Sequence, residues 1–153
     1  MNLKVKVMVD TNVLIYFLTD IETEHKEKIK KLFEQENKYQ FVITTRILDE
    51  LIFKLIIIQS GKNFKYLKDN KDILKKYSST IDIVKNFFKE FSFKIYEIKE
   101  KHYWKLKNVI DEYGLIGNDA LIFIIMKENN LKYIATTDKD FEHIPAVNVL
   151  NHL

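Results

Sequence analysis

The chain has 153 residues, 46% of them hydrophobic and 31% charged, which is typical of a soluble globular protein and excludes wholesale disorder. Its 25 lysines and arginines against 22 acidic residues leave a net charge of +3, so the chain as a whole carries no strong basic field for nucleic acid. The absence of cysteine excludes disulfides, thiolate zinc sites and a cysteine nucleophile.

The length suits one domain, 1–153, able to bury about 70% of the surface of its unfolded chain. The longest apolar run, 121–126, is far shorter than the roughly 20 residues of a membrane-spanning helix. The N-terminal segment has neither the apolar region nor the cleavage site of a signal peptide. We therefore expect a single cytoplasmic domain.

The first predicted elements are a strand and two helical segments. The alternating segment VKVMV predicts a short buried strand that ends at Asp10. The apolar segment 12–18 predicts a helical turn packed on the sheet. The stretch 22–38 is dense in charges but keeps its large apolar residues on one face, so it predicts an amphipathic helix.

A second strand and a long helix follow. The segment 41–44 predicts the strand, and the helix runs from about Arg46 to about Gly61, with Thr44 or Thr45 as its N-cap. Two more helical patterns come next, NFKYLKDNKDILKKY and STIDIVKNFFKEF, the second capped by one of two hydroxyl residues, Ser79 or Thr80.

The remaining segments alternate between strand and helix. Residues 93–98 predict a strand, 100–113 a helix, 117–130 a strongly apolar helix, 132–137 a third clear strand and 147–150 a weak final strand. Strands separated by helices favour an α/β fold with a mainly parallel sheet covered on both faces. In such sheets the functional site lies beyond the carboxyl ends of the strands.

Four acids stand at or near these ends. Asp10 and Asp138 directly follow strands, Glu50 lies in the first turns of the long helix, and Asp119 opens the apolar helix that Asn118 is expected to cap. Carboxylates brought together repel one another unless a cation lies among them, and oxygen ligands suit Mg²⁺ or Mn²⁺ better than zinc.

Each acid also has a purely structural interpretation. Asp119 at a helix N-terminus is favourable to the helix dipole without any function. Asp138 suits a turn, and its neighbour Asp140 competes for any role. Glu50 suits an i,i+4 ion pair, and helical periodicity alone does not choose between it and Asp49.

Four motifs, in this order over residues 9–141, resemble the PIN-domain family and, within it, the small VapC-like toxins of toxin–antitoxin pairs. They are V-D-T-N-V-L-I-Y, T-T-R-I-L-D-E-L, N-D-A-L-I and I-A-T-T-D-K-D-F. The resemblance implies a three-layer α/β/α sandwich and an endoribonuclease that uses Mg²⁺ or Mn²⁺ held by acids.

Carried over by position, the resemblance assigns the catalytic acids to Asp10, Glu50, Asp119 and Asp138. It places the metal mainly on Asp10, Asp119 and Asp138, and it prefers Glu50 to Asp49. Residues expected to orient the acids or the scissile phosphate, or to support the site structurally, are Asn12, Thr136, Thr137 and Asp140.

The resemblance also implies partners: an RNA substrate, a small antitoxin whose tail would enter the acidic groove through an arginine or lysine, and a second copy of the chain in a homodimer. The four histidines, at 25, 102, 143 and 152, show no ligand or proton-shuttle spacing, so we expect them to be incidental.

An extended helical stretch at about 54–91 is larger than a minimal toxin needs. Within it, residues 54–76 carry seven lysines against two aspartates, a local charge of +5. Three aromatic residues lie among the lysines: Phe64, Tyr66 and Tyr77. This pattern is compatible with RNA binding through phosphates and stacking, with a dimer contact, or with core aromatics beneath a solvated lysine face, and charge runs favour the last.

Other functions fit less well. A haloacid-dehalogenase-like phosphatase begins with the motif D-x-D, whereas the third position of this motif is Asn12 in this chain. A receiver domain needs acids before the end of the first strand, and residues 1–9 contain none. A non-catalytic PIN-like RNA- or protein-binding module has no reason to keep mutually repelling acids. An RNA-processing PIN nuclease without an antitoxin stays open, except for variants with a zinc ribbon.

Overall fold

The computed structural model describes residues 3–144 and 147–149, so Leu150 of the predicted last strand and His152 lie outside the described residues. Five parallel strands form one sheet in the order β3-β2-β1-β4-β5. They are β1 (Val5–Val9), β2 (Tyr39–Thr44), β3 (Lys94–Tyr96), β4 (Tyr133–Ala135) and β5 (Asn148–Val149). The α/β class with a central parallel sheet is thereby confirmed.

Nine helices connect the described strands: α1 (Thr11–Leu18), α2 (Lys26–Phe33), α3 (Thr45–Ser60), α4 (Phe64–Asp69), α5 (Lys71–Lys75), α6 (Thr80–Glu90), α7 (Glu100–Trp104), α8 (Leu106–Tyr113) and α9 (Gly117–Glu128). A 3₁₀ turn, Lys139–His143, follows β4. The strands β1 to β3 progress in one direction and β4 lies on the other side of β1. Right-handed crossovers therefore place α1–α6 on one face and α7–α9 on the other.

The burial of the central strand explains its sequence. Val7, Met8 and Val9 are fully buried, because β1 has a neighbouring strand on each side and helices on both faces. On one face, a cluster of phenylalanines from α1, α2, β2 and α6 fills the core, with Phe33 in contact with Phe17 and Phe41. On the other face, every residue of α9 from Ala120 to Met126 is buried, which explains its continuous apolar run.

The ends of α3 agree with the local signals. The Thr44 hydroxyl accepts a hydrogen bond from the Ile47 amide at 3.1 Å, and Gly61 ends the helix in the left-handed conformation at φ +66°. Ser79 precedes α6 but makes no capping side-chain bond, and the Thr80 hydroxyl instead donates to the Gln59 side chain at 2.5 Å, which ties α6 to α3.

Several predicted elements differ from the structure. The helix expected over 22–38 is confined to α2, and the one expected over 100–113 is divided at Lys105 into α7 and α8. The pattern at 63–77 is interrupted at Asn70, whose ψ of 70° is not helical. The strand expected at 93–98 has only three residues, because β3 is an edge strand with one neighbour. In the described part of the chain, none of the helices has the length and apolarity to cross a membrane.

Candidate active site

Strands β1 and β4 are adjacent and parallel, so the residues that follow them meet at the carboxyl ends of the strands. The Asp10 amide donates to the Ala135 carbonyl at 3.0 Å, which extends the pairing beyond the strand ends. The Asp10 carboxylate is only 7% exposed and accepts two hydrogen bonds of 2.7 Å, from the Thr11 amide and from the Thr136 hydroxyl. Asp10 therefore caps α1 and is joined to the segment after β4.

The electrostatic environment of Asp10 is unfavourable to its charge. Burial raises the pKa of this carboxyl above its ordinary value, and the charges of Glu50 and Asp138 raise it further, while the bonds from Thr136 and Thr11 act in the opposite direction. The fold thus buries an acid beside two other acids.

A second group of acids lies at the start of α9 and in the turn after β4. Carboxylate oxygens of Asp119, Asp138 and Asp140 lie within 4.8 Å of one another. The Asp138 carboxylate accepts from the Asp140 amide at 2.9 Å, and the Asp138 amide donates to the Thr136 hydroxyl at 3.0 Å. Burial, followed by the charges of Asp10, Asp138 and Asp140, raises the pKa of Asp119 to about 7.

Glu50 is held at the same end of the strands by polar side chains from three helices. Its Oε2 accepts from the Asn118 amide nitrogen at 2.9 Å and from the Thr11 hydroxyl at 3.3 Å, and its Oε1 pairs with the Lys54 ammonium at 2.7 Å. Asp49 instead is exposed and pairs with Arg46 at 3.4 Å. Of the two acids that periodicity left open, Glu50 is the one that faces the other acids.

The four expected supporting residues have different positions. Thr136 is fully buried and bonds both Asp10 and the Asp138 amide. Asp140 belongs with Asp119 and Asp138 to the group whose carboxylate oxygens lie within 4.8 Å of one another, whereas Asp10 is not part of that group of three. Asn12 is exposed and Thr137 half-buried, and within residues 3–144 and 147–149 neither makes a side-chain hydrogen bond to the acids.

Of the three residues that contact Glu50, the sequence interpretation missed Asn118 and Thr11 and named only Lys54, whose i,i+4 ion pair the structure contains. The prediction that Asn118 caps α9 is wrong. The N-cap position is Ile116, and Asn118 lies inside the helix, where its side chain donates to Glu50. Thr11 follows Asp10 in a motif already noted, and Lys54 was visible only as an i+4 partner of Glu50. A polar side chain in the first turn of an otherwise apolar helix was the available signal for Asn118.

His102 has a structural role, whereas the expectation that none of the histidines serves as a ligand or proton shuttle stays a prediction. His102 is 3% exposed, accepts from the Lys99 amide through Nδ1 at 2.8 Å and lies 2.6 Å from Glu128 through Nε2. Because Nδ1 is the acceptor, Nε2 carries the proton and donates to the Glu128 carboxylate. His102 therefore fixes α7 to the end of α9, a structural role.

The model of the PIN domain family matches residues 7–147. The chain belongs to the PIN domain family. This finding confirms the resemblance that the four motifs indicated, and the span of the match includes all the acids described above.

Relatives agree with this assignment. The chain is 29% identical over 148 residues to "Ribonuclease VapC2" of Methanocaldococcus jannaschii, an alignment that covers 95% of this chain and 93% of that protein.

Two solved structures share the fold. One is VapBC2 from Rickettsia felis, bound to a DNA fragment from its promoter. It has a TM-score of 0.59 and 22% identity, covering 94% of this chain and 96% of that one. The other, a toxin–antitoxin complex from Klebsiella pneumoniae, has a TM-score of 0.57 and 19% identity, covering 93% and 95%.

The acids of this PIN domain fit a divalent cation on three grounds. Their donor atoms are carboxylate oxygens, which suit Mg²⁺ or Mn²⁺. Burial, and after it the charges of neighbouring acids, raises the pKa values of Asp10 and Asp119, so a bound cation would stabilise the charged form of both carboxylates. Among the described residues, the Oδ1 atom of Asn118, next to Asp119, is buried without a hydrogen-bond donor, and the water molecules of a hydrated cation are suitable donors.

Proposed function

We propose that this protein is a metal-dependent endoribonuclease that hydrolyses RNA phosphodiester bonds, and that it is the toxin of a toxin–antitoxin pair. The observation that carries the proposal is the close group of Asp119, Asp138 and Asp140 beside the buried Asp10. The similarity to a protein named a ribonuclease, over nearly the full length of both chains, supports the reaction class.

In this proposal Asp10, Asp119 and Asp138 hold Mg²⁺ or Mn²⁺, and the short distances to Asp140 make it a further ligand candidate. When bound, the ion polarises a phosphate oxygen and lowers the pKa of a water molecule. Thr136 fixes the orientation of Asp10 and positions the segment that carries Asp138.

Glu50 is the proposed general base. Asn118 and Thr11 fix its Oε2, so the carboxylate is oriented before substrate arrives. Glu50 would accept a proton from the attacking water as the new bond to phosphorus forms. The bond between phosphorus and the 3′ oxygen would break, and the 3′ oxygen would take a proton from solvent water, which leaves a 5′ phosphate and a 3′ hydroxyl. The half-exposed Lys54 ammonium, beside Glu50, is available to a backbone phosphate of the RNA.

The excess of negative charge also favours the proposed protein partner. An antitoxin tail that places an arginine or lysine among the acids would neutralise them, as a metal ion would, and thereby block the site. The two solved neighbours are toxin–antitoxin assemblies, which supports this partner. A homodimer and a cytoplasmic location stay predictions.

The test is cleavage of labelled structured RNA by the purified chain with Mn²⁺, with Mg²⁺ and with EDTA, alongside Asp119→Asn. The matched control is Asp82→Asn, which also alters an aspartate in a first helical turn, on the exposed side of α6. We expect metal-dependent cleavage by the wild type and Asp82→Asn that EDTA abolishes and that falls to background in Asp119→Asn. Cleavage that persists in Asp119→Asn at the wild-type rate would contradict the assigned site. A folded wild type that binds no Mn²⁺ would favour a non-catalytic module.

A further inference from the structure

The short helices α4 and α5 expose most of their side chains. Across the two helices, only Leu67 is buried. Phe64 is 57% exposed and Tyr66 37% exposed, so the interpretation of the aromatics as core contacts is wrong for both. Two large aromatic rings among the lysines are therefore accessible to a ligand.

The lysines of this region are largely free of acidic partners. In the described ranges, ion pairs join Lys54 to Glu50 and Lys75 to Asp72, whereas Lys62, Lys65, Lys68, Lys71 and Lys76 form none. Residues 54–76 carry +5 in a chain of net charge +3, so the rest of the chain carries −2. Positive charge is therefore concentrated in this region rather than spread over the molecule.

This region adjoins the proposed active site. Phe64 lies 5.5 Å from Phe53, ring centre to ring centre, and Phe53 precedes Lys54, the ion-pair partner of Glu50, on α3. Glu50 and Phe53 are separated by a rise of about 4.5 Å along the helix. Phe53 is itself 46% exposed, so a surface of exposed rings runs from next to Glu50 onto α4.

We propose that a lysine–aromatic patch, consisting of Lys62, Phe64, Lys65, Tyr66, Lys68 and Lys71, binds the single-stranded RNA that flanks the cleavage site. The inference rests on the proposed function, since it assigns the substrate of that site. The lysines contact backbone phosphates, and the rings of Phe64 and Tyr66 stack on bases, which are available only where the strand is unpaired. Lys62, with its ammonium 4.9 Å from the Tyr66 ring centre, reinforces that platform.

RNA suits the patch better than a protein partner does. The cores of protein interfaces are depleted of lysine, whereas four of the six residues of the patch are lysines. Stacking on exposed rings combined with unpaired ammonium groups is the combination by which proteins hold single-stranded nucleic acid without sequence preference.

The first experiment measures the affinity of the full chain for a short labelled single-stranded RNA by fluorescence anisotropy, in EDTA and over a series of salt concentrations. The test variant is Lys65→Gln/Lys68→Gln/Lys71→Gln. The control is Lys4→Gln/Lys6→Gln/Lys132→Gln. It removes the same charge from three exposed lysines at the amino ends of β1 and β4, whereas the acids lie at the carboxyl ends of these strands. The slope of log affinity against log salt is negative, and we expect its magnitude to decrease by about 2 in the test variant and to stay unchanged in the control.

A second pair of variants isolates stacking. Phe64→Leu keeps an apolar contact with Phe53 but removes the ring, and we expect the affinity to fall at least about fivefold. Phe64→Trp keeps a ring face and should retain the wild-type affinity. Circular dichroism of each variant checks that the fold is intact.

Cleavage assays separate this inference from the proposed function. If the wild type cuts RNA, the triple variant should raise KM while kcat changes little, because the patch lies outside the acids. Unchanged KM and salt slope in an active enzyme would overturn the patch alone. Binding that depends on the patch in a chain that never cuts RNA would support the patch and contradict the nuclease. A change of sedimentation in Phe64→Leu without loss of RNA affinity would show a protein contact and overturn the inference.

Discussion

Helix α9 carries a carboxylate in its first turn, Asp119, and another at its last residue, Glu128. Asp119 lies among other acids, and its pKa is raised to about 7. Glu128 accepts hydrogen bonds from Lys101 at 2.9 Å and from His102 at 2.6 Å, and these bonds lower its pKa to about 2. The two ends of one helix thus place a carboxylate in opposite environments, one that raises its pKa and one that lowers it.

The helix dipole predicts the opposite order. An acid is favoured at the N-terminus and disfavoured at the C-terminus, so the dipole alone would lower the pKa of Asp119 and raise that of Glu128. The neighbouring side chains therefore decide both environments. At Glu128 the fold supplies two donors, and at Asp119 it supplies further acids. The group of acids around Asp119 is not favoured by stability alone, whereas a site for an external cation requires such a group.

The largest expected effect is on catalysis, where substitutions near the two ends of α9 should differ most. Glu50 belongs to the first end through its bond with Asn118. If Glu50 is the general base, Glu50→Gln should lower kcat about 10²- to 10⁴-fold at saturating Mn²⁺. Glu128→Gln makes the same change at the other end and should leave kcat unaltered. Equal rates for Glu50→Gln and wild type in single-turnover cleavage would refute the role of Glu50.

The next effect concerns folding stability at the other end. Glu128→Ala leaves the buried Nε2–H group of His102 without its acceptor and should lower the free energy of unfolding by about 1–3 kcal/mol. Lys101→Ala removes only an exposed ion pair and should cost about 1 kcal/mol or less. Urea denaturation measures both, and a larger loss for Lys101→Ala would contradict the importance of His102.

A smaller effect of opposite sign is expected at the first end. In metal-free protein Asp119→Asn removes a charge that Asp10, Asp138 and Asp140 repel, so it should raise the free energy of unfolding by about 1 kcal/mol. Excess Mn²⁺ should raise the melting temperature of the wild type and change that of Asp119→Asn much less. A less stable metal-free Asp119→Asn would show that the cluster is a structural support.

The smallest expected effect is the pH dependence of the stability that Glu128 contributes. The pKa of Glu128 in the fold, about 2, is below its ordinary value of 4.5, so its contribution is complete above pH 4.5 and is lost as the pH falls towards 2. The stability difference between wild type and Glu128→Gln should therefore be constant near neutrality and shrink between these two values. A difference that grows on acidification would contradict the assigned partners.

Local signals sufficed for much of the fold. The buried strand before Asp10 and both ends of α3 follow from alternation, an N-cap threonine and a glycine, all of which act within a few residues. The breaks at Asn70 and Lys105 were missed because apolar periodicity continues through both positions while the backbone does not. Tertiary packing decides such breaks, and the sequence pattern does not report it.

The acids themselves were found in the sequence because each follows a strand or opens a helix. Their partners were not, since Asn118 bonds a residue 68 positions away and Thr136 bonds one 126 positions away. The choice of Glu50 over Asp49 required the resemblance, and the placement is visible only once α3 is packed against α1 and α9. The nearness of Asp140 depends on the 3₁₀ turn after β4, and the residues there carried only a general turn signal.

Asp119 at the start of α9 is proposed to hold a divalent cation together with Asp10 and Asp138, whereas Glu128 at the end of α9 already accepts two hydrogen bonds. Titration calorimetry of Mn²⁺ into the wild type, Asp119→Asn and Glu128→Gln tests this directly. We expect saturable binding by the wild type and by Glu128→Gln, and none or much weaker binding by Asp119→Asn. Equal affinity in all three proteins, or no binding by a folded wild type, would contradict it.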